Sequence, residues 1–330
     1  PAHSRQKRGM ATIPSFRALS LSNVKRHRAF LMGVAALLVV CCHFNNHIAG
    51  GAVGRLLAEG YIGVDIFIFC SAIGLVQSYS RRPAALAFYR KRVVRILPTF
   101  LAVTLAVLVF AAILGTKDLH LRDWAMTLST LGYWTGDAFF EWYTPAILAL
   151  YALFPLLYQA CSIKMGGGIL LIVSVLCALV AMTMLSPYHY WLVARIPIFI
   201  AGILVAMYLE KVRLSYILCA AMCGVLVMIW SYSYPVDGNY QNVLRNTFFA
   251  PLVIFLIVAA ARRMPTKVMA AVTAVGGVSY ELFLVHFAMI RYDFVSVMPP
   301  LLCLVLSFIL AFAFAFAIRK LTSYKATIRK

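Results

Sequence analysis

Acidic side chains are scarce in this chain. There are ten Asp and Glu among 330 residues, and charged residues of both signs reach only 12%. A soluble domain carries about 25% charged and 45–50% apolar residues. Here the apolar set reaches 63% and mean hydropathy is +0.90. That little charge cannot coat a water-soluble fold, so a disordered chain, a secreted disulfide scaffold and a soluble enzyme are excluded. A cleavable signal peptide is missing, because the first apolar stretch is too long and carries His43, Asn45, Asn46 and His47. The chain opens at Pro1, and Met10 is a candidate natural start. Internal repeats are absent, and Gly166 to Gly168 read as a tight turn, not a phosphate loop. Eight cysteines lie in or beside apolar runs, without a disulfide framework or zinc spacing to nearby histidines. They read as small packing residues, and no metal is expected.

What is present is long apolar runs. A bilayer-spanning helix needs about 20 mostly apolar residues. Ten runs qualify, at about 30–49, 61–79, 97–114, 143–160, 168–185, 190–208, 214–232, 247–261, 268–290 and 300–318. The expected fold is an all-α integral membrane protein, a bundle of about ten transmembrane helices with both termini cytoplasmic. Residues 1–27 form a basic N-terminal segment, 28–318 the membrane domain, and 319–330 a basic tail. The longest connector, 115–142, holds an apolar stretch from Trp124 to Trp134 that is too short to span and reads as interfacial or re-entrant.

Charge supports that orientation. With the N-terminus inside, all but six of the 30 cations fall on the cytoplasmic side, including Arg5, Lys7, Arg8, Arg17, Arg82, Lys164, Arg329 and Lys330. The outer side keeps Arg55, Lys117, Arg122, Arg195, Arg245 and Arg291. It also holds Glu59, Asp118, Asp123, Asp137, Glu141, Asp237 and Asp293. Lys and Arg concentrate on the cytoplasmic face of membrane proteins, so the net charge of +20 is an orientation signal. All five tryptophans fall near the outer boundary, with Tyr133, Tyr143, Tyr188, Tyr190, Tyr232 and Tyr234. Indole and phenol faces suit lipid headgroups and sugar rings alike, and interfacial anchoring is the simpler reading of any one of them.

An ionisable group at bilayer depth costs roughly 2.5–3.5 kcal/mol on insertion scales, so each needs a reason. The candidates are His43, Asp65, Arg195, Glu281 and His286. At 1.5 Å per residue, His43 on span 1 and Glu281 on span 9 come to a similar depth, roughly 20 Å from the inner ends. Five such groups facing one cavity can neutralise each other; the plainer alternative is a polar knot that fixes helix packing. Imidazole suits proton movement near neutral pH, which makes His43 the first candidate for chemistry, oriented by a carboxylate such as Glu281. On the cytoplasmic side Phe88-Tyr89-Arg90-Lys91-Arg92-Val93-Val94-Arg95-Ile96-Leu97-Pro98 precedes span 3. As a helix it puts Arg92 and Arg95 on one face, with Phe88 a turn earlier. Arginine forks suit phosphate oxygens, and a basic juxtamembrane run also suits anionic lipid.

At these residues the chain resembles the acyltransferase-3 family, bacterial integral-membrane enzymes that O-acylate carbohydrates. The landmarks run in order: Ala35 to Phe44 around His43, Gly60 to Phe67 with Ser71, Tyr89 to Pro98, Trp142-Tyr143 to Pro155, Arg195 to Phe199 with Gly202, and Gly277 to His286 including Tyr280. Two positions depart from the family pattern. Eleven residues before the histidine the family carries Arg or Lys, and this chain has Met32; Arg28, one turn earlier on the same face, is expected to substitute. Ser71-Ala72-Ile73 stands where the family commonly has Ser-Gly-Phe. Some relatives carry a fused soluble esterase-like domain, and this chain is expected to act through its membrane part alone.

The resemblance implies transfer of an acyl group, most often acetyl, from cytoplasmic acyl-coenzyme A to a hydroxyl of a lipid-linked or polymeric sugar in the bacterial inner membrane. It implies His43 as general base or transient acyl carrier, oriented by Glu281 or Asp65. Arg92 and Arg95, with Arg90 and Arg28, would hold the nucleotide phosphates. Trp142, Tyr143, Arg195, Tyr280 and His286 would face the acceptor. No nucleic acid is implied. The rival reading is a transporter relaying protons through the buried His, Asp and Glu, which calls for broken helices in paired repeats. A non-catalytic scaffold would leave the buried charges unexplained.

Overall fold

The computed structural model describes residues 18–48, 50–81, 83–115, 120–137, 141–208, 211–233 and 238–328. Arg5, Lys7, Arg8, Arg17, Arg82, Lys117, Asp118, Tyr234, Asp237, Arg329 and Lys330, used in the partition above, lie outside them.

The described chain is helical almost throughout. Helices α1 (Leu21–Arg26), α2 (Arg28–Ile48) and α3 (Gly51–Ala58) lead through a 3₁₀ turn (Glu59–Ile62) into α4 (Gly63–Arg81) and α5 (Ala85–Leu114). Short α6 (Leu121–Leu128) and α7 (Leu131–Thr135) precede α8 (Tyr143–Ser162), α9 (Gly166–Met184), α10 (Pro187–Val193) and α11 (Ile196–Tyr208). Then follow α12 (Leu214–Ser233), α13 (Gly238–Ala261), α14 (Thr266–Gly277), α15 (Ser279–Arg291), α16 (Phe294–Val297) and α17 (Pro300–Ile328). Two three-residue strands, β1 (Ala18–Ser20) and β2 (Lys211–Arg213), pair antiparallel with Ala18 opposite Arg213, an addition to the all-helical expectation.

Among the described residues, seven segments are long and apolar enough to cross a membrane: Arg28–Asn45, Gly51–Arg81, Ala85–Leu114, Tyr143–Ser162, Tyr188–Tyr208, Val243–Ala261 and Pro300–Lys320. The α14–α15 pair makes an eighth only if its bend is ignored, and Gly166–Ala181 and Leu214–Trp230 are shorter apolar helices. Each expected run falls on one of these pieces. Large apolar side chains such as Phe110, Ile113, Leu226 and Phe316 stand exposed on the bundle's flanks, as lipid-facing positions do.

The ninth run is not a straight span. It breaks between Gly277 and Ser279, and its halves diverge by 73°. Adjacent Gly276 and Gly277 are poor helix formers, and the freed Gly277 carbonyl accepts a 2.8 Å bond from Arg319 Nη2. Gly276, with Gly33 on the facing helix, allows α14 to press against α2. A Cβ on Gly276 would lie 1.8 Å from the Ala29 carbonyl oxygen, and one on Gly33 would lie 1.9 Å from that of Val272. Such backbone contact is how helices associate where lipid removes the hydrophobic incentive. It fixes α2 against the broken span, and with it the two histidines of the site.

Candidate active site

His43 sits fifteen residues into α2, and His286 lies on the buried face of α15. They meet directly, His43 Nδ1 lying 2.8 Å from His286 Nε2. The rings are 18° from coplanar with centroids 5.1 Å apart, the geometry of two imidazoles touching edge to edge through their nitrogens. The other nitrogen of His286, Nδ1, lies 2.7 Å from the Leu282 carbonyl oxygen one turn earlier. Phe287 meets His43 edge-on at 5.4 Å, and Phe283 meets His286 at 5.6 Å. Residues 283, 286 and 287 share a helix face through their i, i+3 and i+4 spacing.

A cavity of about 180 Å³ opens beside His43, lined by His43, Tyr61, Trp142, Tyr188, Trp191, Phe287 and Arg291. Its wall is a continuous aromatic assembly. Trp142 contacts Trp191 at 5.3 Å, Trp191 contacts Tyr188 at 5.1 Å, and Tyr61 contacts Trp191 at 6.1 Å. Arg195 stands behind that wall, fully buried, with its guanidinium 4.8 Å from both the Tyr61 and Trp142 ring centroids. Cation–π contact with two rings in a dry setting is worth about 2 kcal/mol or more each, so Arg195 holds the wall in place. Its Nη1 donates to the Trp191 carbonyl at 3.0 Å, and its Nε lies 3.9 Å from Asp65 Oδ1. Thr247 Oγ1 adds a 2.9 Å contact to the same Asp65 oxygen.

At the opposite end of α2 lies a group of arginines. Arg28 turns into the bundle, its Nε donating to the Cys70 carbonyl at 3.3 Å while its guanidinium lies over Gly74. Arg92 is buried, packs over the Phe88 ring at 5.2 Å, and leaves its Nε without a hydrogen-bond partner. Arg28 and Arg95 are close enough to repel it electrostatically. None of the three forms an ion pair among the described residues. Arg90 is exposed and, two residues from Arg92, projects to the other side of α5.

The five ionisable groups, of which Asp65, Arg195 and His286 are buried and His43 and Glu281 half-buried, therefore do not share one cavity. They form two sets, His43 with His286 and Asp65 with Arg195 and Thr247, while Glu281 stays apart. The straight span on which Glu281 was set level with His43 is broken by the 73° bend. Its charged neighbours are Arg319 and Arg95. The neighbour of His43 is an imidazole where a carboxylate was expected. Tyr143 packs on Phe283 at 4.8 Å, and the Tyr280 hydroxyl lies 2.9 Å from Thr144 Oγ1. Both lie beside the cavity rather than lining it.

Thr247, Phe287 and Arg291 escaped the sequence reading as site residues. Phe287 and Arg291 had a usable signal, since they repeat at helical spacing from Phe283. Thr247 had none. Glu141 was read only as an outer-side acid. It is buried and accepts the Thr144 N–H through both carboxylate oxygens at 2.9 Å, which caps α8. Burial pushes its pKa up to about 7, against the lowering effect of those hydrogen bonds. Among the described residues no three His, Cys, Asp or Glu side chains gather as metal ligands do.

A family model described as an acyltransferase domain matches residues 30–320, nearly the whole chain. No curated protein and no solved structure matches the chain.

Proposed function

The chain belongs to the acyltransferase-3 family, and from that premise we propose that it moves an acyl group, acetyl in the simplest case, from cytoplasmic acyl-coenzyme A to a hydroxyl of a lipid-linked or polymeric sugar. It is a multi-pass membrane acyltransferase; donor, acceptor and a bacterial inner-membrane location are the proposed refinements. The observation that carries them is the layout along α2. Three arginines that form no ion pair among the described residues stand near its start, and a histidine in an aromatic cavity stands fifteen residues on. That separation is roughly 22 Å at 1.5 Å per residue. Such a site suits a long, thin donor with phosphates at one end and a thioester at the other.

In this reading Arg28, Arg92 and Arg95 grip the phosphates with charge-assisted hydrogen bonds. Arg28 takes the place of the missing cation at Met32, which fits its inward turn to Cys70. The acceptor sugar lies against Trp142, Trp191, Tyr188 and Tyr61. His43 takes the acceptor hydroxyl proton as that oxygen bonds to the thioester carbonyl carbon. Collapse of the tetrahedral adduct breaks the carbon–sulfur bond, and His43 returns the proton to the leaving thiolate. The products are the sugar ester and free coenzyme A. The transporter reading gains nothing from the broken span, since no second bent pair occurs among the described residues.

The test is transfer of acetyl label from acetyl-coenzyme A into carbohydrate by membranes containing the protein. Transfer should fall by about 10²-fold or more in His43→Ala, the loss expected for a general base, with folded protein at normal levels. Turnover retained in that variant rejects the mechanism. Label held on the wild-type chain would convert His43 from base to acyl carrier.

A further inference from the structure

We propose that His286 is a positioning residue that fixes the tautomer of His43, so that Nε2 of His43 is the nitrogen that accepts the proton. Two contacts and the valence of a carbonyl fix the hydrogens. The Leu282 carbonyl oxygen only accepts, so His286 Nδ1, 2.7 Å away, carries a hydrogen. A neutral His286 then has a bare Nε2. That lone pair faces His43 Nδ1 at 2.8 Å, so His43 Nδ1 carries the hydrogen between them. The near-coplanar rings let the lone pair and the N–H meet in plane. His43 is left with Nε2 as its only basic nitrogen, while its ring borders the aromatic cavity.

This arrangement is already correct for the reaction. When Nε2 takes a proton, the Nδ1–H of the resulting imidazolium continues to donate to His286 without any ring flip. His286 is fully buried, and Phe283 and Phe287 brace the two rings from their edges. A backbone carbonyl and a neutral imidazole thus do what a carboxylate does in a Ser-His-Asp triad, namely hold the base in one tautomer and one orientation. Glu281, which sequence spacing favoured for this task, is not needed for it.

The proposal rests on His43 acting as the base, and the experiment separates the two ideas. His286→Leu removes the acceptor for His43 Nδ1–H while keeping apolar bulk, and His286→Gln restores an acceptor oxygen. With membranes and labelled acetyl-coenzyme A, His286→Leu should lower kcat by about 10²-fold, within the range of a lost general base. KM for the donor should stay near the wild-type value, and His286→Gln should recover at least about tenfold of the lost rate. Equal rates in the Leu and Gln variants, or a loss confined to KM, overturn the positioning role while leaving His43 as base intact. Nitrogen-15 NMR of histidine-labelled protein in bilayers gives an activity-independent reading. The signals absent in His43→Gln should include a protonated Nδ1 and a bare Nε2; a protonated Nε2 with bare Nδ1 overturns the proposal. If His43→Ala is itself active, the function reading fails instead, whatever the tautomer.

Discussion

At the scale of single residues, environment separates groups that composition treats alike. Asp65, Glu141 and Glu281 are three of only ten acids, and each meets a different setting. Asp65 answers Arg195, Glu281 senses Arg95 and Arg319, and Glu141 caps a helix end through Thr144. Glu141 gives a pH prediction. Its folded pKa is raised to about 7, against 4.5 as the ordinary value. Below pH 4.5 both folded and unfolded forms hold the proton, so the group is neutral to stability. Between 4.5 and 7 the unfolded chain releases it first, and stability falls as pH rises. The full loss above pH 7 is at most about 3 kcal/mol, from the pKa difference at 1.36 kcal/mol per unit. Glu141→Gln keeps one acceptor oxygen and cannot ionise. Thermal unfolding in detergent at pH 5 and pH 8 should show a smaller drop for this variant than for wild type. Equal drops would place the carboxylate in water-like surroundings and reject the burial argument. Sequence placed Glu141 as an outer-side acid, because burial beside a helix end depends on tertiary packing. It did single out His43 and His286, since an imidazole inside an apolar run is visible without any structure.

At the scale of elements, the apolar runs were legible because a crossing helix must satisfy its backbone within itself and cover about 30 Å. That requirement leaves a 20-residue imprint in any sequence. The direction of a helix after a break leaves none. The Gly276-Gly277 pair was the one visible sign of the 73° bend, and reading through it treated α14 and α15 as one straight span. The pairing of His43 with His286 was hidden for the same reason, since it depends on how α15 is turned after the bend. The two-glycine contact between α2 and α14 makes that geometry testable. Gly276→Ala puts a methyl 1.8 Å from the Ala29 carbonyl oxygen, where only separation of the helices can relieve it. It should destabilise the protein by about 1–3 kcal/mol or more, the range for overpacked sites. It should also reduce transfer, because α15 carries His286. Gly168→Ala is the control: nothing lies within 4 Å of its Cβ, and it sits in helix α9. Helix propensity predicts a gain of up to about 1 kcal/mol there. Unfolding temperatures that move together in the two variants would dismiss the close-contact account.

At the scale of the whole molecule, cations of the two predicted faces are handled differently. Arg122 and Arg245, assigned outside, are paired with Asp137 and Glu59, and buried Arg195 faces Asp65. Arg28, Arg92 and Arg95, assigned inside, form no ion pair among the described residues and gather near one another. An orientation signal alone needs no such convergence, whereas the proposed grip on the donor phosphates would use it. The small β1–β2 pairing bears on the topology itself. It joins the segment before α2 to the connector after α11, so these two lie on one face and an even number of crossings separates them. The long apolar segments ending in α2, α4, α5, α8 and α11 supply five. The sixth then falls to α9, whose apolar stretch is short by length alone. A chain with all eight cysteines replaced by alanine, carrying either Lys164→Cys or Ser186→Cys, tests this directly. Both positions are exposed, one before α9 and the other after it. A membrane-impermeant maleimide should label Ser186→Cys in intact cells and reach Lys164→Cys only after permeabilisation. Labelling of both in the same state would make α9 a helix that does not cross, and the even count, the shared face of β1 and β2, and the cytoplasmic placement of the arginines could not all stand.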